Sequence, residues 1–191
     1  MGNIIGYNLY GPDNDSYMSA SCDNILEELD NVPTCNGCGY RTDYTYANNN
    51  FKIKKRNYDI SYTYDGVCIV SLTFKEFCKK NKYSNIIFKE LPREEKFYQF
   101  IVENELEFDY TRRETKLINY CESCGFYENV IGSIPTFLKD IINPLDDGFY
   151  RSDLLFGSRN EKSPLIIISP FTKELLDNEK LKGVEYKEIM N

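Results

Sequence analysis

Four cysteines in two copies of one short motif are the residues best suited to chemistry: Cys35-Asn36-Gly37-Cys38-Gly39-Tyr40 and Cys121-Glu122-Ser123-Cys124-Gly125-Phe126. Two cysteines separated by two residues can aim both sulfurs at one point. A glycine after the second allows a left-handed turn that brings backbone N–H groups toward them. Two such knuckles complete a tetrahedral structural zinc site, with Cys35, Cys38, Cys121 and Cys124 as ligands and Gly39 and Gly125 as knuckle glycines. A compact zinc ribbon separates its pairs by ~15–20 residues, whereas 82 residues lie between Cys38 and Cys121. Three rival uses stand beside zinc. A redox dithiol normally opens a helix after a strand, but residues 40–46 and 126–132 read as strands. Structural disulfides belong to oxidising compartments, and no secretion signal is visible. Reduced, unliganded thiols are the third, and a thiophilic ion other than zinc would suit the same four sulfurs. Cys68, in an apolar run, and Cys78, in a helix-like run, read as buried free thiols.

The rest of the composition narrows the chemistry further. The 191 residues include no histidine, which excludes Ser-His-Asp and Cys-His nucleophilic sites and the mixed Cys/His zinc fingers. No GxxxxGK[ST], GxGxxG or GxSxG motif is present. The expectation is a protein that is not an enzyme. The charge is 23 Lys+Arg against 30 Asp+Glu, a formal net of -7. An acidic protein is repelled by phosphates and attracted to basic partners, so no nucleic acid partner is expected. The longest aliphatic run, Leu165-Ile166-Ile167-Ile168, falls far short of the ~20 residues that span a bilayer, so no membrane partner is expected and a cytoplasmic location is the reading. Lys52, Lys54, Lys55 and Arg56 form a small basic cluster. An alternative function follows from it: a zinc-ribbon nucleic-acid-binding adaptor.

The elements that must carry the knuckles read as a repeat. Residues 67–77 align without gaps on residues 165–175 at an offset of 98, and the register continues from residues 86–91 to residues 184–189, with seven identities in 25 positions. Both copies read as a buried strand, a short helix and a second strand. Thr73 with Glu76 predicts a capping box, and Ser169 before Pro170 an equally good helix start. Asn85 and Gly183 share the position where a left-handed residue often leaves a helix. The expected fold is α+β, a single domain over residues 1–191. It consists of two related β-α-β-containing halves, at about 30–110 and 116–191, joined by a discontinuous four-cysteine zinc-ribbon-like site. The 82 residues between the knuckles are then a folded half.

Two acidic stretches are candidate partner-binding surfaces. Alternation over residues 97–110 puts Glu103, Glu105, Glu107 and Asp109 on one strand face. Like charges in a row cost stability unless something cationic meets them. The plainer reading is a solvated face that deters edge pairing. The second stretch carries Asp23, Glu27, Glu28 and Asp30, in a region of residues 1–40 that holds no Lys or Arg.

The two CxxCG motifs, Ser133-Ile134-Pro135, Ser152-Asp153-Leu154-Leu155-Phe156 and the ending Ile166-Ile167-Ile168-Ser169 with Leu181-Lys182-Gly183-Val184-Glu185-Tyr186 resemble the double-CXXCG-motif immunity proteins. The resemblance is best over residues 121–191. It implies a bacterial cytoplasmic protein that binds and neutralises a cognate protein toxin encoded beside it. Acidic surfaces would steer it onto a basic toxin.

Overall fold

Runs of β-branched and aromatic residues, interrupted by two short amphipathic helices, fold into two sheets in the computed structural model, which describes residues 2–19 and 31–191. The elements are β1 (Ile4–Tyr10), β2 (Ile60–Tyr62), β3 (Cys68–Ser71), α1 (Leu72–Lys80), β4 (Ile86–Glu90), β5 (Phe97–Val102), β6 (Glu105–Leu106), α2 (Tyr110–Arg113), β7 (Lys116–Cys121), β8 (Phe126–Ile131), β9 (Phe149–Ser158), β10 (Ser163–Ile168), α3 (Pro170–Glu179) and β11 (Glu185–Met190). The larger sheet runs β11-β1-β10-β9-β8-β7, and the smaller runs β2-β3-β5-β4. Neighbours along both paths are antiparallel, and β6 adds a short parallel pairing to β9.

The segments aligned at an offset of 98 are β3-α1-β4 and β10-α3-β11. Ser71 and Ser169 cap the two helices from extended backbone, and each Oγ accepts the N–H three residues on, Phe74 at 3.2 Å and Thr172 at 2.9 Å. The cap of α1 is therefore Ser71, not the Thr73 box the sequence suggested. The serine ending a buried strand already stands where its hydroxyl reaches the first free N–H groups. Asn85 and Gly183 both take left-handed backbone, at φ 57° and 82°. Ser169→Ala is expected to cost about 1 kcal/mol, visible as a fall in Tm, because Ser169 is fully buried and its hydroxyl also meets Thr172 Oγ1 at 2.9 Å.

Each outer pair encloses an inner strand in the same register. Tyr98 of β5 faces Val70 and Glu90, while Tyr7 of β1 faces Ile168 and Glu188. The next residues, Gln99 and Asn8, are amides only 2% and 1% exposed. A lysine from each helix stacks over the inner tyrosine: Lys75 lies 3.6 Å from the Tyr98 centroid, and Lys173 lies 5.7 Å from that of Tyr7. The inner strands differ in origin. β5 follows β4 along the chain, whereas β1 comes from the N-terminal end and so lies outside residues 116–191. The two sheets meet in one core, where Phe74 of α1, Phe100 of β5 and Phe149 of β9 pack edge-on with centroids 5.1–5.9 Å apart.

Candidate metal centre

The second knuckle is the turn of the β7–β8 hairpin. Cys121 pairs with Phe126 across its base, and the Gly125 N–H donates to the Cys121 carbonyl at 2.8 Å. The first knuckle makes the same turn with almost no strand beneath it. The Cys35 N–H donates to the Tyr40 carbonyl at 2.9 Å, and the Gly39 N–H to the Cys35 carbonyl at 2.8 Å. Gly39 and Gly125 have φ of 75° and 74°, a conformation that glycine adopts without a Cβ clash. Residues 40–46 are not the strand expected of them: Arg41 makes one isolated bridge to Thr34, and turns follow.

The four sulfurs converge. Cys35, Cys38, Cys121 and Cys124 have their Sγ atoms all within 4.8 Å of one another, and no disulfide joins them. Contacts of 3.8 Å (Cys35–Cys121) and 3.9 Å (Cys38–Cys124) cross from one knuckle to the other. A tetrahedral ion with metal–sulfur bonds of ~2.3 Å requires sulfur–sulfur edges of about 3.8 Å, so the donor set fits a thiophilic metal. Neither knuckle opens a helix, which separates the arrangement from a redox dithiol. Gly37 is a knuckle residue the spacing did not reveal. A Cβ there would lie 2.6 Å from Ser123 Oγ, so glycine lets the two turns abut.

The backbone prepares the first cysteine of each knuckle to be a thiolate. Hydrogen bonds from the Cys38 and Gly37 N–H groups lower the Cys35 pKa to about 6, and the Gly37 N–H lies 3.2 Å from Sγ. The Cys124 N–H lowers that of Cys121 in the same way. Burial raises Cys38 to about 12 and also raises Cys124. Backbone donation thus favours charge on the first cysteine of each knuckle, and burial opposes it on the second.

Residues distant in sequence hold the knuckles together, and no local motif announces them. The turn between β9 and β10 touches both. Asn160 Oδ1 accepts the Arg41 N–H at 2.9 Å, the Lys162 carbonyl accepts from Arg41 Nη2 at 3.0 Å, and the Lys162 ammonium donates to the Tyr127 carbonyl. Glu128 accepts from Tyr40 OH at 3.1 Å, Asn119 Nδ2 at 2.8 Å and Arg159 Nε at 3.1 Å. The side chain of Arg41 is buried beside Asp65 at 3.7 Å. A cavity of about 320 Å³ opens next to the sulfurs, walled by Tyr40, Tyr120, Phe126, Tyr127 and Lys162.

The other candidate residues are dispersed. The segment after β5 is not one strand face. Glu105 is in β6 and pairs with Arg151 at 2.5 Å, Glu107 pairs with Lys139 at 2.5 Å, and Asp109 caps α2 by accepting the Arg112 N–H at 2.9 Å. Glu103 is exposed in the gap between β5 and β6. Internal cations thus relieve the repulsion expected among these acids. Asp23, Glu27, Glu28 and Asp30 lie outside the described residues. In the basic cluster, Lys55 pairs with Asp15 at 2.9 Å and Arg56 with Glu94 at 2.8 Å. Cys68 and Cys78 are buried free thiols, and burial raises the pKa of both. Among the described residues no helix is long and apolar enough to cross a membrane. Comparison with protein-family models, curated proteins and solved structures returns no match.

Proposed function

We propose that this chain is an immunity-type protein that neutralises a cognate, basic protein toxin by binding it. A structural zinc held by Cys35, Cys38, Cys121 and Cys124 pins its fold in a zinc-ribbon-like site. The observation that carries the reading is the convergence of two CxxCG knuckles from distant parts of the chain at tetrahedral spacing, joined to the sequence resemblance. A net charge of -7 suits fast association with a cationic partner. Inhibition by stoichiometric binding needs a stable shape and no catalytic group. Free thiols that serve as ligands suit a reducing, cytoplasmic location. The nucleic-acid adaptor reading draws little support, since two of its four cations are engaged by carboxylates.

The common offset, the matched caps and the matched register of β1 and β5 support a duplicated architecture. In it, two related β-α-β units each enclose an antiparallel inner strand, and one of these strands is supplied from the far end of the chain.

The test is co-expression with the toxic domain encoded beside its gene. Rescue of growth, with a 1:1 complex in calorimetric titration, is the expected result. Failure to rescue, together with salt-sensitive retention of the purified protein on DNA or RNA, would overturn the reading in favour of the adaptor.

A further inference from the structure

A divalent ion with four thiolates carries a net charge of -2, and such a centre set against buried groups needs a counter-charge. Two cations line the cavity beside the sulfurs, Arg41 and Lys162. Arg41 is engaged elsewhere: it lies 3.7 Å from Asp65, and its guanidinium donates to Ser19 Oγ at 3.2 Å and to the Lys162 carbonyl at 3.0 Å. The carboxylate on the cavity wall, Glu128, pairs with Arg159 at 3.1 Å. Lys162 stands apart. It is only 6% exposed, its ammonium donates to the Tyr127 carbonyl and lies 5.7 Å from the Phe126 ring centroid, and among the described residues no carboxylate pairs with it. A buried ammonium without a carboxylate calls for another anion nearby. Cys38, Cys121 and Cys124 share its cavity.

We propose that Lys162 is the counter-charge of the four-cysteine centre, a positioning residue that lets four thiolates share one divalent ion. This rests on the metal reading above. Both contacts of its ammonium are to residues of the second knuckle's outgoing strand, Phe126 and Tyr127. The strand that leaves Cys124 therefore holds the ammonium in the cavity that Cys38, Cys121 and Cys124 line. Burial depresses the pKa of the Lys162 ammonium, and Cys124 followed by Cys38 acts against that depression.

The experiment compares the full chain with Lys162→Met and Lys162→Arg, each stripped and reloaded with Zn²⁺ and titrated against a chromophoric chelator at pH 7.5. Replacing a group that supports metal ligands typically weakens affinity 10–100-fold. The methionine variant is expected to fall in that range and to release zinc at a higher pH than the parent, while the arginine variant stays within about threefold. Cobalt-loaded samples report whether the four-thiolate coordination spectrum persists. If the parent itself takes up no metal, the metal reading fails. If the parent binds zinc and the methionine variant binds it equally well, the Lys162 proposal alone fails. Equal losses in both variants overturn it as well, since a retained charge should rescue. Should the methionine variant not fold, the arginine variant decides: affinity within threefold of the parent supports the role, and a tenfold loss removes it.

Discussion

Replacing Cys121 by serine, or stripping metal with a strong chelator, is expected to remove one equivalent of zinc and lower Tm by on the order of 10 °C. Structural zinc sites contribute apparent binding free energies of ~10–16 kcal/mol in peptides that fold only around the ion. This chain has its own aromatic core in Phe74, Phe100 and Phe149, so the loss should be local and smaller. A few kcal/mol at ~2–4 °C per kcal/mol gives that fall. What loosens is the pair of turns. The first knuckle rests on one isolated bridge and a handful of backbone bonds, and without the ion its sulfurs face those of the second, 3.8 and 3.9 Å apart, with no disulfide to join them. Hydrogen exchange should quicken over residues 33–42 and 116–131 while α1 and α3 keep their protection. An unchanged Tm and unchanged exchange after verified removal of the metal would refute a structural role. The same arrangement sets a pH dependence. Cys38 and Cys124 have raised pKa values, so binding near neutral pH expels at least their two protons, and affinity should fall at least about 100-fold per unit of acidification. The fall steepens as Cys35 protonates below about pH 6.

The second large effect belongs to Asp65, which stands nowhere near a motif. It is 0% exposed and accepts the Met18 N–H at 2.8 Å, the Ser19 N–H at 2.7 Å and the Ser19 hydroxyl at 2.8 Å, with Arg41 3.7 Å away. Removing one partner of a buried ion pair leaves an uncompensated charge and typically costs ~3–5 kcal/mol. Asp65→Ala should reach the upper part of that range, because three donors lose their acceptor together. Arg41 directly follows the first knuckle, so the variant should also lose zinc to a chelator sooner than the parent. Asp65→Asn, which keeps an acceptor oxygen, should lose less. Urea denaturation checks the first claim and chelator competition the second. A loss under 1 kcal/mol would show that Arg41 finds water instead.

The four-cysteine cluster was legible because a knuckle is a local object. Two sulfurs, two spacer residues and a left-handed glycine contain nearly all the geometry that aims them, and the strand–helix–strand segments carry their own periodicity and caps. Acidic alternation misled for the same reason. Period-two spacing over residues 97–110 describes a strand, but Asn104 and Asp109 break it once β6 pairs with Arg151 and α2 begins. Residues 40–46 look equally strand-like, yet beyond the single Thr34–Arg41 bridge they make turns.

Composition and local spacing by themselves determined which four sulfurs would converge, and that imidazole chemistry is absent. They also marked two segments that would each form strand, helix and strand. The folded chain alone decided that β1, from the opposite end, would fill the place in one unit that β5 fills in the other. It also brought Asp65, Arg41 and Lys162 to the knuckles. Pairing register and charge compensation depend on which distant segments become neighbours, and a pattern read along the chain carries no term for distance through space.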